Sequence, residues 1–378
     1  MTEKPIVDQP VGGTPCFFGR DRALRMLRNG LERGRSFGLI GGPGIGRTST
    51  LMELAAREQR RWVPTYRGAK VVPVLVDFRS LPSGNPAALA DGIWQGLGRA
   101  ISDPRVRGGA GALDQPKLSL RGDAKTAWKT FEDGLRELWG QLRGSEAWCQ
   151  YAVLLDNAEC AESAVLIDML EPLIQLASRD EDYTPTSLVI SGARRLRESL
   201  YERRGPMYGM LTPVLLGALT DHEASTFIRA VLPMATAAHV RELGSVTGNH
   251  PNLLARVLSE IVNYNLIDKL RVASDNASMR AETYFESVWA VIDDGRELTY
   301  RGSYAAPEHA IMQTLIQVGA KGLTSKQLER EIGMRPIKEY TEVLEYLGVI
   351  ERSMRGSTFV LQGRCALWND WYRERIAS

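Results

Sequence analysis

Short apolar runs alternate with longer segments of helical spacing over the first half of the chain. The apolar runs are typical of buried strands and lie at 36–40, 71–78, 151–156 and 187–191. The segments between and around them predict helices at 18–33, 48–60, 87–101, 126–142 and 161–177. Strands that alternate with helices predict an α/β domain, in which helices cover both faces of a parallel sheet.

The pattern changes after about residue 216, where the strand signal stops. Amphipathic segments then predict helices at 221–231, 237–247, 252–264 and 281–293. The last part predicts helices at 308–318, 325–332 and 336–347, followed by hairpin strands at 349–351 and 358–361. We expect Thr324 to cap the second of these helices and Pro336 to lie in the first turn of the third. Three helices followed by a hairpin predict a winged helix-turn-helix domain.

These changes of pattern divide the chain into units. Residues 102–124 are rich in Gly, Pro and basic residues, which is typical of a surface insertion. The predicted units are a flexible tail at 1–15, an α/β core at 16–215, a helical region at 216–300 and the winged-helix domain at 301–378.

The composition is ordinary for a soluble globular protein. Of the 378 residues, 44% are hydrophobic and 24% are charged, and the net charge of +2 indicates no dominant electrostatic partner. The 4 cysteines have no CxxC spacing and the 4 histidines form no cluster, which argues against a zinc site or a disulfide framework. The N-terminus is too polar for a signal peptide, and no apolar run reaches membrane-spanning length. We therefore expect a cytoplasmic protein without a membrane partner.

A glycine-rich turn follows the first predicted strand. Its sequence, GGPGIGRT at 41–48, fits the P-loop pattern GxxxxGK[ST] except that Arg47 stands in place of Lys. Glycines let the backbone curl so that successive N–H groups point at phosphate oxygens, and Thr48 offers a hydroxyl ligand for Mg²⁺. A plain strand–turn–helix connection is the alternative. The candidate nucleotide-binding residues of this loop are Gly41, Gly42, Pro43, Gly44, Ile45, Gly46, Arg47, Thr48 and Ser49.

Arg47 weakens the case for catalysis more than the case for binding. Lys is a compact point charge at the β- and γ-phosphates, whereas Arg is a wide planar fork. We expect transition-state positioning to suffer more from this exchange than ground-state binding does.

The predicted strand at 151–156 ends in Asp156, a position at which a carboxylate is suited to hold Mg²⁺. The next residue is Asn157, which cannot act as a general base, and Glu159 is the candidate substitute. Asp156 and Glu159 are therefore the candidate catalytic residues, and Thr48 and Asp156 are the candidate Mg²⁺ ligands.

Two further positions are candidates for sensing the phosphates. Ser191 ends the fourth predicted strand, where a polar group can touch the γ-phosphate or a water. Arg194 and Arg195 follow it, either as phosphate-sensing residues or as the solvated basic start of a helix.

Several motifs resemble those of AAA+ and STAND ATPases, and the STAND proteins are switches that alternate between nucleotide states. FGR at 18–20 resembles the F-x-G-R box ahead of the P-loop, and LLDNAE at 154–159 looks like the LDNA-type Walker B of bacterial STAND regulators. PMYG at 206–209, TGNHPNLL at 247–254 and LWNDWYRER at 367–375 are similar to motifs of archaeal-type ATPases with a fused winged helix.

The resemblance covers about residues 16–375 and implies a P-loop NTPase core that binds ATP or ADP with Mg²⁺. It also implies that the helical region is a lid that closes on the nucleotide, with Pro251 at the start of a lid helix. Two residues depart from the pattern. Met210 follows the PMYG motif at a position where the family pattern generally has Arg. Asn249, within TGNHPNLL, stands where Gly is usual, which allows a changed backbone angle at that position.

The predicted winged-helix domain does not have the charge of a strong DNA reader. Its third helix carries Arg335, Lys338, Glu339, Glu342 and Glu345. Carboxylates repel the phosphates that supply most of the affinity for DNA. Arg352 and Arg355 in the hairpin are suited to touch a DNA backbone, but a packing or protein-interaction module is favoured.

Three functions remain open from the sequence. The leading hypothesis is a regulatory STAND/AAA+-like switch that hydrolyses ATP slowly or not at all and signals to a protein partner or to its own oligomer. The second is a DNA-associated ATPase, similar to replication initiators or transposition regulators, that grips duplex DNA with the winged helix. The third is a pseudo-ATPase scaffold that binds no nucleotide.

Overall fold

A computed structural model describes residues 9–61, 70–81, 86–102, 118, 123–143, 149–160, 186–201, 208–298 and 307–377. At its centre is a five-stranded sheet with the order β2-β3-β4-β1-β5, in which every pairing is parallel. The strands are β1 (Phe37–Gly41), β2 (Lys70–Asp77), β3 (Cys149–Asp156), β4 (Thr186–Gly192) and β5 (Thr212–Leu216). The prediction of an α/β P-loop NTPase fold with a parallel sheet is confirmed.

Helices pack against both faces of the sheet. They are α1 (Asp21–Leu31), α2 (Arg47–Arg61), α3 (Pro86–Ser102), α4 (Ala124–Arg143) and α5 (Arg194–Tyr201). Strand β3 shows why cover is needed on both sides. Leu154 belongs to the apolar cluster of α1 and α2, whereas Val153 and Leu155 belong to the cluster of α3, α4 and α5. Successive side chains of a strand point to opposite faces, so a strand that is apolar throughout must be buried on both.

Strand β5 is the main difference from the predicted core, because the apolar pattern indicates only the other four strands. Pro213 argues against a central strand, but it is tolerated here because β5 lies at the edge of the sheet. The helix predicted at 161–177 lies outside the described residues, as does most of the predicted insertion at 102–124. Leu118, a described residue of that insertion, packs against the core cluster.

A group of helices follows the sheet. They are α6 (Asp221–Val231), α7 (Ala237–Thr247), α8 (Pro251–Tyr264), α9 (Leu270–Met279) and α10 (Glu282–Leu298). The pattern of apolar positions predicts all of them except α9. Asn249 has a φ of 55°, a left-handed conformation that Asn tolerates, and its side chain donates to Asp221 Oδ1 at 2.7 Å. The amide thus holds the turn that leads into α8.

The C-terminal unit, residues 307–377, has the predicted three helices and hairpin. These are α11 (Pro307–Val318), α12 (Ser325–Ile332), α13 (Lys338–Tyr346), β6 (Ile350–Arg355), β7 (Thr358–Gly363) and a further helix α14 (Ala366–Ala377). The cap by Thr324 is confirmed, since its hydroxyl accepts from the Gln327 N–H. The prediction for Pro336 is wrong: Pro336 precedes Ile337, the residue that caps α13. The interpretation of this unit as a winged helix stays a prediction.

Residues 11–13 lie against α2. The Val11 N–H donates to Ser49 Oγ at 3.1 Å, and the Gly13 N–H donates to Glu53 Oε2 at 2.7 Å. This part of the segment predicted as a flexible tail is therefore anchored beside the P-loop. Within the described ranges, no helix combines the length and apolarity that a bilayer crossing requires.

Candidate nucleotide-binding site

The P-loop connects the end of β1 to the start of α2. Positive φ angles of 63° at Gly44 and 94° at Gly46 let the backbone curl at these two positions, and glycine adopts them without strain. Ile45 is fully buried in the cluster of α1 and α2, so the loop is anchored in the core. Main-chain N–H groups and the N-terminus of α2 are thereby available to an anion.

Arg20, from the predicted F-x-G-R box, supports the P-loop rather than contacting a ligand. Its Nη2 donates to the carbonyl oxygen of Ile45 at 2.6 Å, and its main-chain N–H donates to Glu223 Oε1 at 2.5 Å. Burial lowers the pKa of Arg20 to about 10, although Glu223 opposes the shift, so the side chain stays charged at neutral pH. The box therefore ties the loop to α6.

Thr48 and Asp156 come together at the carboxyl end of β3. Thr48 Oγ1 donates to Asp156 Oδ2 at 2.6 Å, and Asp156 is 1% exposed. Hydroxyl and carboxylate oxygens are the ligands that Mg²⁺ prefers, so the donor set fits the predicted metal. Ser191 Oγ donates to the other carboxylate oxygen of Asp156 and accepts from the Asn157 N–H at 3.3 Å. Ser191 thus orients Asp156, and its predicted contact with the γ-phosphate or a water stays a prediction.

Arg47 and Glu159 form an ion pair and hydrogen bond through Nη2 and Oε1. Arg47 is only 9% exposed. Among the described atoms, Nη1 of Arg47 and Oε2 of Glu159 are buried without a hydrogen-bond partner. Unpaired buried polar atoms are unfavourable, so Nη1 of Arg47 is suited to donate to a phosphate oxygen or a water, and Oε2 of Glu159 to accept from a water.

Asp77, the last residue of β2, and Arg79, two residues later, also lie at the site. Neither residue belongs to the motifs that predict the site. The Asn157 side chain donates to Asp77 Oδ1 at 2.9 Å and to Asp156 Oδ2 at 3.1 Å, and so bridges the ends of β2 and β3. Asn157 has a φ of 57°, which Asn tolerates better than most residues. Burial raises the pKa of Asp77, but hydrogen bonds from Arg79 and Asn157 outweigh it and hold that pKa below its ordinary value. A strand that ends in Asp, as β3 does, is a signal that points to Asp77.

Arg194 is not brought to the P-loop. Its Nε pairs with Glu198 at 2.7 Å, and its Nη1 lies 2.8 Å from Glu308 of α11. A buried guanidinium requires carboxylate partners, and these two hold it at the junction of α5 and the C-terminal unit. The phosphate-sensing role predicted for Arg194 has no support in this arrangement. Arg195 is exposed.

A cavity of about 440 Å³ extends from the P-loop. Its lining includes residues 42–49, Arg79 and Asn157, and it also includes the apolar side chains of Val11, Phe17, Phe18, Leu219, Phe227 and Ala255. Pro251, at the start of α8, lines the cavity too, and its place in a lid stays a prediction. Phe18 and Phe227 stack with ring centroids 4.9 Å apart, so α6 and the segment before α1 meet in the lining of the cavity.

No protein-family model and no curated protein matches the sequence. Among solved structures, the Walker-type ATPase PABY2304 of Pyrococcus abyssi is similar over 94% of this chain and 96% of its own, with 14% identity and a TM-score of 0.57. The ORC2 protein of Aeropyrum pernix, in ADPNP and ADP complexes, matches over 95% and 94% of the two chains, with 14% identity and a TM-score of 0.49. Drosophila ORC bound to DNA matches over 96% and 88%, with 12% identity and a TM-score of 0.43. The first similarity shows the fold alone, that of a P-loop NTPase, and the two lower scores carry no argument.

Proposed function

We propose that the protein binds ATP or ADP with Mg²⁺ and acts as a nucleotide-dependent switch that hydrolyses slowly or not at all. The observation that carries this proposal is that one cavity is lined both by the P-loop with Thr48 and by the stacked rings of Phe18 and Phe227. A nucleotide has the same two parts, a charged phosphate chain and a flat base.

The roles of the residues follow from their contacts. The P-loop N–H groups other than those of Gly42 and Ile45, which donate to Tyr346 and Gly42, would bind phosphate oxygens. Nη1 of Arg47 would donate to one of these oxygens. Mg²⁺, held by Thr48 and Asp156, would neutralise phosphate charge. Pro251, at the N-terminus of α8, would bring the lid helix against the nucleotide.

We propose slow hydrolysis because no residue is clearly placed to act as the general base that activates the attacking water. Asn157, next to Asp156, is neutral and donates to two carboxylates. Glu159 is the nearest substitute, but one of its oxygens is engaged with Arg47. An oxygen that accepts from Arg47 is not free to accept a proton from a water.

Binding is tested by isothermal titration of the full chain with Mg-ADP and with a non-hydrolysable Mg-ATP analogue, each repeated in EDTA. Thr48→Ala should remove most of the dependence on Mg²⁺, since it deletes a ligand. Thr130→Ala is the matched control, because Thr130 lies on α4 and its hydroxyl bonds only to the Thr126 carbonyl, at 2.9 Å. Absence of binding and of any change in melting temperature would establish the nucleotide-free scaffold instead.

We further propose that the switch acts on a protein partner or on a second copy of the chain. Charges in the C-terminal unit support this, because the basic residues at the start of α13 and in the hairpin have local partners. Arg352 bonds to Glu345 at 2.8 Å, and Lys338 lies 3.8 Å from Glu342. Arg355 donates to the main-chain oxygen of Lys321 at 2.8 Å.

The names of the solved structures reported above are closer to the DNA-associated alternative than to a STAND-type switch, since one of them is an ORC bound to DNA. The TM-score of that complex is 0.43, so DNA binding by this chain stays a proposal. The measurement that separates the two functions is the affinity for duplex DNA as a function of salt, with and without nucleotide.

A further inference from the structure

Arg79 is the most exposed of the arginines that line the described cavity, which are Arg20, Arg47 and Arg79. Arg20 is buried behind the P-loop, and Arg47 is paired with Glu159 and 9% exposed. The side chain of Arg79 is 57% exposed. A charged ligand can reach its guanidinium without displacing buried contacts.

Among the described residues, Asp77 holds the guanidinium of Arg79 from one side. Nε lies 3.2 and 3.0 Å from the two oxygens of Asp77, and Nη2 lies 2.7 Å from Oδ2, so Nη1 takes no part in this contact. Asp77 in turn accepts from Asn157, which also contacts Asp156. The chain Asp156–Asn157–Asp77–Arg79 therefore fixes the arginine relative to the metal-binding carboxylate.

The order of the strands shows which part of a nucleotide would meet Arg79. In the sheet, β2 lies beyond β3 on the side away from the P-loop strand β1, and Asp77 is in register with Asp156. Mg²⁺ held by Thr48 and Asp156 would neutralise charge on the outer phosphates of a bound triphosphate. With those phosphates beside Asp156, we expect the third one to be the group nearest the ends of β3 and β2. A diphosphate has no group there.

We propose that Arg79 binds the terminal phosphate and makes the site discriminate nucleoside triphosphate from diphosphate. The inference rests on the proposed nucleotide site and assigns to that site the residue that reads the nucleotide state. A guanidinium is suited to this role because its planar fork donates to Asp77 through one edge and to a phosphate through another.

The experiment is a titration of the full-length protein with Mg²⁺ and either ADP or β,γ-imido-ATP. Arg79→Ala should raise the Kd of the triphosphate analogue about tenfold, as expected for one lost charge-assisted hydrogen bond, and change the Kd of ADP by less than about twofold. Arg79→Lys keeps the charge without the fork and should give an intermediate Kd for the analogue. Arg136→Ala is the control, since Arg136 is 50% exposed and is held by the carboxylates of Glu132 and Asp133, but on α4.

Each outcome decides one of two questions. If the wild type binds neither nucleotide, the proposed function fails, and this inference fails with it. If the wild type binds both, and Arg79→Ala weakens them equally or weakens neither, the nucleotide site stands and the role of Arg79 is refuted. If Arg79→Ala weakens binding of the triphosphate analogue alone, and Arg136→Ala does not, the role of Arg79 is established.

Discussion

The main-chain N–H of Gly42 in the P-loop donates to the carbonyl oxygen of Tyr346 at 3.3 Å. This contact joins the phosphate-binding loop to the C-terminal end of α13. A Cβ on Gly42 would lie 2.8 Å from Leu347 Cδ2 and 3.0 Å from Leu347 Cα, so the two segments are packed at the closest approach that glycine permits. Movement of the P-loop on binding phosphate would therefore press directly on the C-terminal unit.

Substitution of this glycine tests the contact. Gly42→Ala should destabilise the protein by about 1–3 kcal/mol, because the added methyl group overpacks against Leu347. Urea unfolding is the measurement. Gly217→Ala is the control: its Cβ would lie 3.4 Å from the Glu345 carbonyl oxygen, an ordinary contact with the same region. Equal effects of the two substitutions would contradict the close packing at Gly42.

The burial of His250 leads us to expect that stability depends on pH. It is 1% exposed, its Nε2 lies 3.0 Å from the Tyr284 hydroxyl, and burial lowers its pKa to about 3, with Arg20 and Arg364 adding to the shift. An unfolded histidine has a pKa of about 6.5. Between that pH and about pH 3, the unfolded chain binds a proton that the folded protein does not bind, so stability is lost as pH falls.

The test is urea unfolding at several pH values between about 7.5 and 5. The free energy of unfolding should fall below about pH 6.5, and the His250 contribution approaches about 1.4 kcal/mol per pH unit. His250→Gln should be less stable at neutral pH but should lose that contribution to the slope. His222→Gln, at an exposed position on α6, should leave the slope unchanged. A slope in His250→Gln equal to that of the wild type would show that another group titrates.

Strand positions and the P-loop could be predicted because their signals are local. An apolar run such as 151–156 indicates a buried strand wherever it lies in the sheet, and Thr324 caps α12 through a residue only three positions away. The cluster of Asp77, Arg79 and Asn157 could not be predicted from the sequence, because it depends on β2 and β3 being neighbours in the sheet. Apolar periodicity carries no information about strand order.

Arg194 also shows that local sequence signals do not reveal contacts with residues far away in the chain. Its place after β4 is the one expected of a residue that faces the phosphates, but Glu308 lies more than a hundred residues later in the chain and binds it instead. Proline chemistry alone also misplaced Pro336, since Pro suits the first turn of a helix and equally the residues just before it.

Glu159 should compete with nucleotide for Arg47. Glu159→Gln removes the negative charge while keeping a similar shape, so it should strengthen Mg-ADP binding by about fivefold, the equivalent of roughly 1 kcal/mol for an ion pair. The ligand-free protein should melt at a lower temperature, because a largely buried Arg47 loses its carboxylate. Titration and thermal melting measure the two effects. Glu132→Gln, which breaks an ion pair with Arg136 on α4, should leave the Kd of Mg-ADP unchanged.

The C-terminal hairpin should not bind duplex DNA strongly. Arg352 and Arg355 are engaged by Glu345 and by main-chain carbonyls, so a DNA phosphate must displace contacts already made. We expect a Kd weaker than about 1 µM at physiological salt, in the range of non-specific binding. Fluorescence anisotropy with labelled duplex measures it, with and without Mg-nucleotide. Submicromolar binding that is lost in Arg352→Ala plus Arg355→Ala would establish the DNA-associated alternative.

Hydrolysis by the isolated protein should be very slow. Arg47 replaces the lysine of the P-loop, and Asn157 occupies the position after Asp156 at which a carboxylate would activate water. General-base catalysis is worth about 10²–10⁴-fold, and the loss of the lysine need not add to it, because groups that act as a unit are not additive. Arg47→Lys should therefore raise the rate only modestly, since it leaves the water without a base.

Single-turnover hydrolysis, with protein in excess over Mg-ATP, is the decisive measurement because it separates chemistry from product release. A rate near 1 s⁻¹ or faster, typical of ordinary enzymes, would refute slow hydrolysis if Asp156→Ala abolished it. Glu159 would then be the first group to examine, because its buried Oε2 has no hydrogen-bond partner among the described atoms. A water that accepts from Nη1 of Arg47 and donates to that oxygen would be oriented by the pair, and Glu159→Gln would remove the activity while leaving nucleotide bound.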